Sequence, residues 1–187
     1  EDNELNRELI CELISDLGGI VTEACDGADG FEKFEKSKEN ELFDGMGTTF
    51  TCAAVEKDTL YIAHVGDSRA YMYRKGQLTR DHSFVMEMVK QGKLTLEEAH
   101  NHPNKNVITR AVGSEKTILV DTVIEKLEPK DKILICSDGL TNMVSDEKIS
   151  EILNKDEGLE TEIEKLIDTA NNMGGIDNIS AIIIDMR

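Results

Sequence analysis

Apolar residues change their spacing along the chain, and the change divides it into two parts. Over the first 42 residues, apolar positions recur at the three- and four-residue intervals of a helix. They are Leu5, Leu9, Ile10, Leu13, Ile14 and Leu17. Gly18 and Gly19 then favour a helix end, residues 20–22 predict a short strand, and residues 28–38 predict a second helix. The first part is therefore predicted to be helix, strand, helix.

After residue 44 the pattern becomes one of strands and turns. Apolar runs and alternation predict strands over residues 48–55, 60–65, 70–74, 77–79, 118–124, 132–137 and 179–184. Lys75-Gly76 predicts a two-residue hairpin. Helical spacing and capping residues predict helices over residues 84–91, 95–100 and 159–170, and another helix after Ser145. Many strands with segregated helices indicate an α+β layered domain.

Composition and charge narrow the class of protein. The 187 residues are 39% hydrophobic and 32% charged, which suits one globular domain. The formal net charge of −17 repels phosphate backbones and argues against a nucleic-acid partner. Apolar runs such as residues 133–136 are too short to span a membrane, and no stretch resembles a signal peptide. Cys11, Cys25, Cys52 and Cys136 lack paired metal-ligand spacing, so we expect free thiols in a reducing cytoplasm.

Three aspartates lie at strand junctions, next to glycine or another residue typical of tight turns. Asp67 and Asp138 each follow an apolar strand, and Asp177 precedes the last strand. One aspartate beside a glycine is more often a turn residue. Three in one chain favour a rim of rigidly held carboxylates, and hard cations prefer oxygen ligands. The pattern therefore favours a site for Mn²⁺ or Mg²⁺ at Asp67, Asp138 and Asp177.

Six short motifs follow one another after residue 44. They are Gly45-Met46-Gly47-Thr48-Thr49, Val65-Gly66-Asp67-Ser68-Arg69-Ala70-Tyr71, Asp81-His82-Ser83, Asn101-His102-Pro103 with Asn106-Val107-Ile108-Thr109-Arg110-Ala111, Ser137-Asp138-Gly139-Leu140-Thr141, and Asp177-Asn178. In order and spacing, residues 45–187 resemble the bacterial branch of the PPM-type (protein phosphatase 2C) metal-dependent serine/threonine protein phosphatases. The resemblance implies a two-layer antiparallel β-sandwich flanked by helices.

The same resemblance implies a metal-assisted hydrolysis, in which two metal ions are bridged by the water that attacks phosphorus. By motif match, Asp138 and Asp177 are ligands of one core metal. Asp67 and Asp138 serve a third, weaker metal, where Asn142 replaces an acidic residue found in many relatives. Residues 83–110 match the family's flap, which lies beside the cleft and bears on substrate choice.

Histidines and one arginine within these motifs have structural interpretations. His82 and His102 are expected to make structural hydrogen bonds, and His64 is expected to be packed within its strand. Arg69 follows the Asp67 turn and is expected to tie that turn to a neighbour.

Two parts of the family's active site have no counterpart in the 187 residues. Complete members carry an Asp-Gly-Met-Gly-Gly-His-like motif, whose aspartate bridges both metals, and an arginine that grips phosphate. Asp44-Gly45-Met46-Gly47 begins like that motif. Thr48-Thr49 follow it, however, so this is the start of a later strand. We therefore expect reduced metal occupancy.

Residues 1–42 instead resemble part of a response-regulator receiver domain. Glu1 and Asp2 match its acidic magnesium pair, and the phosphoacceptor strand is absent. The sequence thus predicts a receiver-like helix-strand-helix fragment over residues 1–42. It is joined to a PPM-type domain over residues 43–187 that lacks its N-terminal segment, and the two are expected to pack as one globule.

Three functional hypotheses remain open. The first is a serine/threonine phosphoprotein phosphatase that is weak or inactive in this chain, with a phosphoserine or phosphothreonine protein as substrate if active. The second is a pseudophosphatase, or an engineered or recombinant fusion scaffold, without catalysis. The third is a regulatory module that binds phosphoproteins. Exposed sheet edges would also favour a homodimer.

Overall fold

The computed structural model describes residue 32 and residues 47–115, 117–155 and 157–186. The chain divides after Met46 into two units, and the elements below belong to the second unit. The helix-strand-helix predicted over residues 1–42, with Cys11 and Cys25, lies outside the described residues except at position 32, which is helical.

The strands of the described part follow the predicted order, and so do the helices, except for a short helix at residues 138–141 that the sequence did not predict. The strands are β1 (Phe50–Glu56), β2 (Thr59–Val65), β3 (Arg69–Met72), β4 (Gly76–Gln77), β5 (Asp121–Lys126), β6 (Lys132–Cys136) and β7 (Ala181–Asp185). The helices are α1 (Phe84–Lys90), α2 (Leu96–His100), α3 (Asp138–Thr141), α4 (Asp146–Leu153) and α5 (Leu159–Asn172). None of these described helices has both the length and the apolar character needed to cross a membrane.

The described strands form two antiparallel sheets that pack face to face. One sheet has the order β1-β2-β5 and the other has the order β4-β3-β6-β7. Apolar side chains of both sheets meet in one buried cluster, formed by Leu60, Ile62, Ala70, Met72, Leu127 and Ile133. The predicted two-layer antiparallel arrangement is therefore confirmed.

Helices cover the other face of the second sheet. Tyr71 and Leu134 alternate with the residues that face the first sheet, so they point toward the helices. There they pack on apolar residues of the helical region: Leu140, Val144, Ile149, Ile152, Leu153, Leu166 and Ala170. Because β6 is covered on both faces, it is almost continuously apolar, as its sequence predicted.

The β3–β4 hairpin differs from its prediction. Met72 pairs with Gly76, so the loop comprises residues 73–75 instead of a two-residue Lys75-Gly76 turn. Gly76 opens β4 with a φ of 79°. The two-residue turn would require a positive φ at Lys75 as well, which a lysine side chain disfavours.

Lys132 and Glu162 form an ion pair inside the domain. Lys132 Nζ lies 2.6 Å from Glu162 Oε1, and the two side chains are 6% and 0% exposed. Lys132 Nζ also donates a hydrogen bond to the Leu153 carbonyl at 3.1 Å. The pair therefore joins the start of β6 to α5 and to the end of α4.

Replacing one partner of this pair should destabilise the domain strongly. We expect Glu162→Gln to lower the free energy of unfolding by about 3 kcal/mol, because it leaves a buried ammonium without its counter-charge. The double variant Lys132→Met/Glu162→Leu should lose less. Urea unfolding followed by circular dichroism measures both values.

The exposed pair Lys148–Glu151 provides the control, with side chains 43% and 51% exposed. Glu151→Gln should change stability by less than about 0.5 kcal/mol. Equal losses in Glu162→Gln and Glu151→Gln would show that burial does not set the strength of the inner pair.

Candidate active site

Asp67 is presented by a tight turn between β2 and β3. Gly66 has a φ of 112°, and a Cβ added there would lie 2.4 Å from the Thr49 side chain. Only glycine therefore fits this position without a shift of the chain. Thr49 Oγ1 lies 3.1 Å from Ser68 Oγ, across the same turn. The turn is thus held against the start of β1, and Asp67 stands at its tip.

Asp138 begins α3 directly after β6, and Ser137 is the N-cap residue. The segment before β7 lies against this helix start. A Cβ added at Gly139 would lie 2.3 Å from the Asn178 carbonyl oxygen. Ser137 Oγ donates to that same oxygen at 3.1 Å. This close approach of two backbones brings Asp177 next to Asp138.

Two of these aspartates have raised pKa values, and a neighbouring aspartate contributes to each shift. Burial, and then the charge of Asp138, raise the pKa of Asp67 to about 6. Burial, and then the charge of Asp177, raise the pKa of Asp138 above its usual value. Asp138 therefore interacts electrostatically with each of the other two, and a divalent cation would relieve that repulsion. The structure places Asp138 near Asp67 and near Asp177, but among the described residues the three carboxylates do not converge into one cluster.

The donor set suits a hard cation that keeps part of its water shell. Among the described residues, no three histidine, cysteine, aspartate or glutamate side chains converge closely enough to hold a metal. Mg²⁺ is commonly held by one or two carboxylates, with water completing its coordination. Asp138 with Asp177, or Asp138 with Asp67, would supply such a pair. Metal binding at Asp67, Asp138 and Asp177 stays a prediction.

Asn142 lies beside the central carboxylate. Its Nδ2 donates to Asp138 Oδ2 at 3.2 Å. A neutral amide at this position supports the charged form of Asp138 without adding a negative charge of its own.

A cleft of about 420 Å³ opens beside Asp67 and Asp138. Arg69, Gln77 and Asp81 line it as well. One wall comes from the segment that matches the family's flap: Ser83, Val85, Met86, Leu96, Ala99, His100, Lys105 and Asn106. The other wall comes from α3 and the start of α4: Thr141, Asn142, Val144, Ser145, Asp146 and Glu147.

Arg69 is fully engaged within the cleft. Its Nε and Nη2 donate to the two oxygens of Asp81 at 2.8 and 2.7 Å. Its Nη1 donates to the Tyr71 hydroxyl at 3.1 Å, which in turn donates to Asp146 at 2.9 Å. The prediction that Arg69 ties its turn to a neighbour is confirmed. Its guanidinium fork therefore does not face the cleft as a free phosphate grip.

The sequence did not predict the hydrogen-bond network that links Asp81, Arg69, Tyr71 and Asp146. Asp81 stands in the Asp81-His82-Ser83 motif, which was the available signal. Asp146 lies in the first turn of α4. Its bond to Tyr71 spans 75 positions of sequence, so no local pattern reveals it.

The histidines and cysteines of the described part mostly agree with their predictions. His64 is buried within β2. His102 Nδ1 accepts a hydrogen bond from the Asn104 amide at 3.1 Å, which confirms a structural role. Cys52 and Cys136 are free thiols. Burial raises the pKa of Cys136 to about 12, so this thiol is unreactive at neutral pH.

Comparison with known proteins identifies the family. The sequence profile of protein phosphatase 2C matches residues 7–87. A crystal structure of the Mycobacterium tuberculosis serine/threonine phosphatase PstP/Ppp superposes with a TM-score of 0.77 at 31% identity, covering 98% of this chain and 82% of that one. The chain belongs to the protein phosphatase 2C, or PPM, family.

One further relative by sequence and one further solved structure are similar to this chain. The serine/threonine phosphatase stp of Listeria welshimeri is 41% identical over 151 residues, which cover 79% of this chain and 60% of the relative. The catalytic domain of PstP in complex with two manganese ions has a TM-score of 0.71 at 34% identity, covering 81% of this chain and 64% of that one.

The family profile starts before the first of the six motifs, which begins at residue 45. The chain spans about three fifths of the length of the Listeria relative. The family profile begins at residue 7, within the segment whose sequence resembles a receiver domain. The receiver-like assignment of residues 1–42 stays a prediction.

Removing the Asp67 charge should stabilise the metal-free protein. The folded-state pKa of Asp67 is about 6, against an ordinary value of 3.8, so ionisation opposes folding as the pH rises through this interval. We expect Asp67→Asn to raise the free energy of unfolding by about 1 kcal/mol above pH 6, after allowance for partial exposure. The gain should vanish as the pH falls toward 4.

Asp81→Asn is the matched control, because Asp81 is paired with Arg69. It should lower stability by about 2 kcal/mol, since it breaks a bidentate charge-assisted interaction. Urea unfolding in chelator at pH 8 and pH 4.5 measures both variants. A loss of stability in Asp67→Asn at pH 8 would contradict the repulsion.

Proposed function

We propose that this chain provides the cleft and part of the metal site of a serine/threonine protein phosphatase, and that its 187 residues alone turn over substrate weakly. The observation that carries the proposal is that Asp67 and Asp138 both line the cleft, where the charge of Asp138 adds to burial in raising the pKa of Asp67. Relatives named as serine/threonine phosphatases support the substrate class.

Asp67, Asp138 and Asp177 are proposed as the residues that hold Mn²⁺ or Mg²⁺. The manganese complex of PstP supports this choice of ion. Bound divalent cations would supply an activated water and neutralise charge on a phosphoryl group. The chain's own contribution is to hold the carboxylates rigidly at strand ends and to orient the substrate's peptide along the flap wall of the cleft.

Weak turnover follows from what the cleft does not supply. Arg69 is bound bidentately to Asp81, so it does not offer a free fork to phosphate. The 187 residues contain no Asp-Gly-Met-Gly-Gly-His motif from which a bridging aspartate could come. Losing one preorganised group that stabilises transition-state charge typically lowers kcat by about 10²–10³.

A phosphoprotein-binding module without catalysis is the second candidate. One observation favours it: the cleft is formed, whereas no three potential metal ligands converge among the described residues. A homodimer through an exposed strand edge and a cytoplasmic location also stay predictions.

Hydrolysis of p-nitrophenyl phosphate and of a phosphoserine peptide in Mn²⁺ tests the proposal. We expect turnover at least about 100-fold below that of the Listeria relative, measured in parallel. Asp138→Asn should remove the remaining activity, because it takes away the central carboxylate. Asp168→Asn, an exposed position on α5, should leave it unchanged.

Three outcomes distinguish the candidates. Turnover equal to that of the relative would show that the site is complete, and would contradict the predicted weakness. Turnover unaffected by Asp138→Asn would remove Asp138 from the site. Phosphopeptide binding in calorimetry with no turnover at all would favour the binding module.

A further inference from the structure

His82 lies buried behind the turn that presents Asp67, with 3% of its surface exposed. The Gly66 amide donates to His82 Nδ1 at 3.0 Å. The His82 amide donates to the Gly66 carbonyl at 2.7 Å. Both backbone polar groups of Gly66 are therefore bound by one residue, although the two are 16 positions apart.

The bond from Gly66 fixes the tautomer of the imidazole ring. Because Nδ1 accepts a hydrogen bond, the proton of the neutral ring lies on Nε2. His82 Nε2 is 3.1 Å from Asp121 Oδ2, which accepts that proton's hydrogen bond. Arg110 Nη1 also lies 3.1 Å from Nε2, but a guanidinium only donates, so this contact is not a hydrogen bond when Nε2 carries the proton. Arg110 Nη1 donates to the other oxygen, Asp121 Oδ1, at 2.8 Å. An Asp121–His82–Gly66 relay thus runs from β5 to the turn.

Charge supports the acceptor end of this relay. Burial acts to raise the pKa of Asp121, but hydrogen bonds from His82 and Arg110 outweigh it and hold that pKa below its usual value. The carboxylate is therefore ionised at neutral pH and orients the His82 ring.

The relay also reaches the end of the flap segment. The Thr109 amide donates to the His82 carbonyl at 2.7 Å, and Arg110 follows directly in the chain. His82 therefore contacts the turn that bears Asp67 through its side chain, and the end of the segment that lines one wall of the cleft through its backbone carbonyl.

We propose that His82 is a positioning residue for Asp67, acting through the Nδ1 acceptor that fixes the Gly66 amide. This inference rests on the proposed function, in which Asp67 helps to hold a divalent cation. Without the acceptor, the buried Gly66 amide has to find another partner, and the turn shifts with it. Partners that orient metal ligands in this way commonly change metal affinity by 10–100-fold when removed.

Two substitutions separate the two nitrogens of the ring. In His82→Asn, the side-chain oxygen can replace Nδ1 as the acceptor for Gly66, but the side chain is too short to reach Asp121. In His82→Gln, the amide can replace Nε2 as the donor to Asp121, but the acceptor near Gly66 is lost. Both variants lose the ring, so a purely structural role predicts similar effects of the two.

Amide hydrogen exchange of ¹⁵N-labelled protein in chelator reads the turn directly. We expect the Gly66 amide to exchange about tenfold faster in His82→Gln than in His82→Asn, since only the former loses the bond. Unchanged Gly66 exchange in His82→Gln would overturn the proposal.

Mn²⁺ affinity, measured by the electron paramagnetic resonance signal of free Mn²⁺, reads the positioning of Asp67. We expect affinity about tenfold lower in His82→Gln and nearly unchanged in His82→Asn. Equal affinities in the two variants would overturn the positioning role. If the wild-type chain binds no Mn²⁺, the proposed function is wrong, and so is the role of His82 in cation binding.

Asp121→Asn provides a test that keeps the ring, should both His82 variants fail to fold. The Asp121 side chain is 43% exposed, so this change is mild for the fold. Faster exchange of the Gly66 amide would support the relay. Exchange equal to that of the wild type would overturn it.

Discussion

The close approach of Asp138 to both Asp67 and Asp177 is the constraint on which the arrangement of this site depends. Burial and then the charge of a neighbouring aspartate raise the pKa of Asp67 and of Asp138, so ionisation of these two groups is opposed in the folded domain. A loop alone would relax and let these groups separate. In this domain each of these carboxylates lies at a strand junction of a two-sheet sandwich, where the sheets hold the backbone in place.

Close contacts hold the backbone at these strand junctions. Gly66 is pressed against Thr49 and bound on both sides by His82, and Gly139 lies against the Asn178 backbone. The Lys132–Glu162 pair anchors the strand that leads to Asp138. A buried ion pair is a poor source of net stability compared with apolar packing. Its value here is that it fixes α5 and β6 relative to each other.

The sequence predicted the features that depend on neighbouring residues and missed the contacts that depend on pairing between distant segments. Strand junctions and helix caps have short-range patterns, and the structure places them as predicted, with each of the three aspartates at a strand junction. The predicted two-residue turn at Lys75-Gly76 was wrong. The loop comprises residues 73–75, and Gly76 after it has the positive φ. The partners of Arg69 and His82 depend on which strands become neighbours. Asp121, for instance, lies opposite His64 across the β2–β5 ladder, which no local pattern reveals.

The charges of the cleft make metal and substrate binding interdependent. Asp67, Asp81, Asp138, Asp146 and Glu147 line it, and the arginine among them is already paired with Asp81. A phosphate dianion that enters this cleft meets net negative charge, so its binding is opposed until cations neutralise the rim. Under the proposed function, these carboxylates would make phosphate binding conditional on bound cations. Cation occupancy of the rim, more than the shape of the cleft, would then decide whether a phosphoprotein is held.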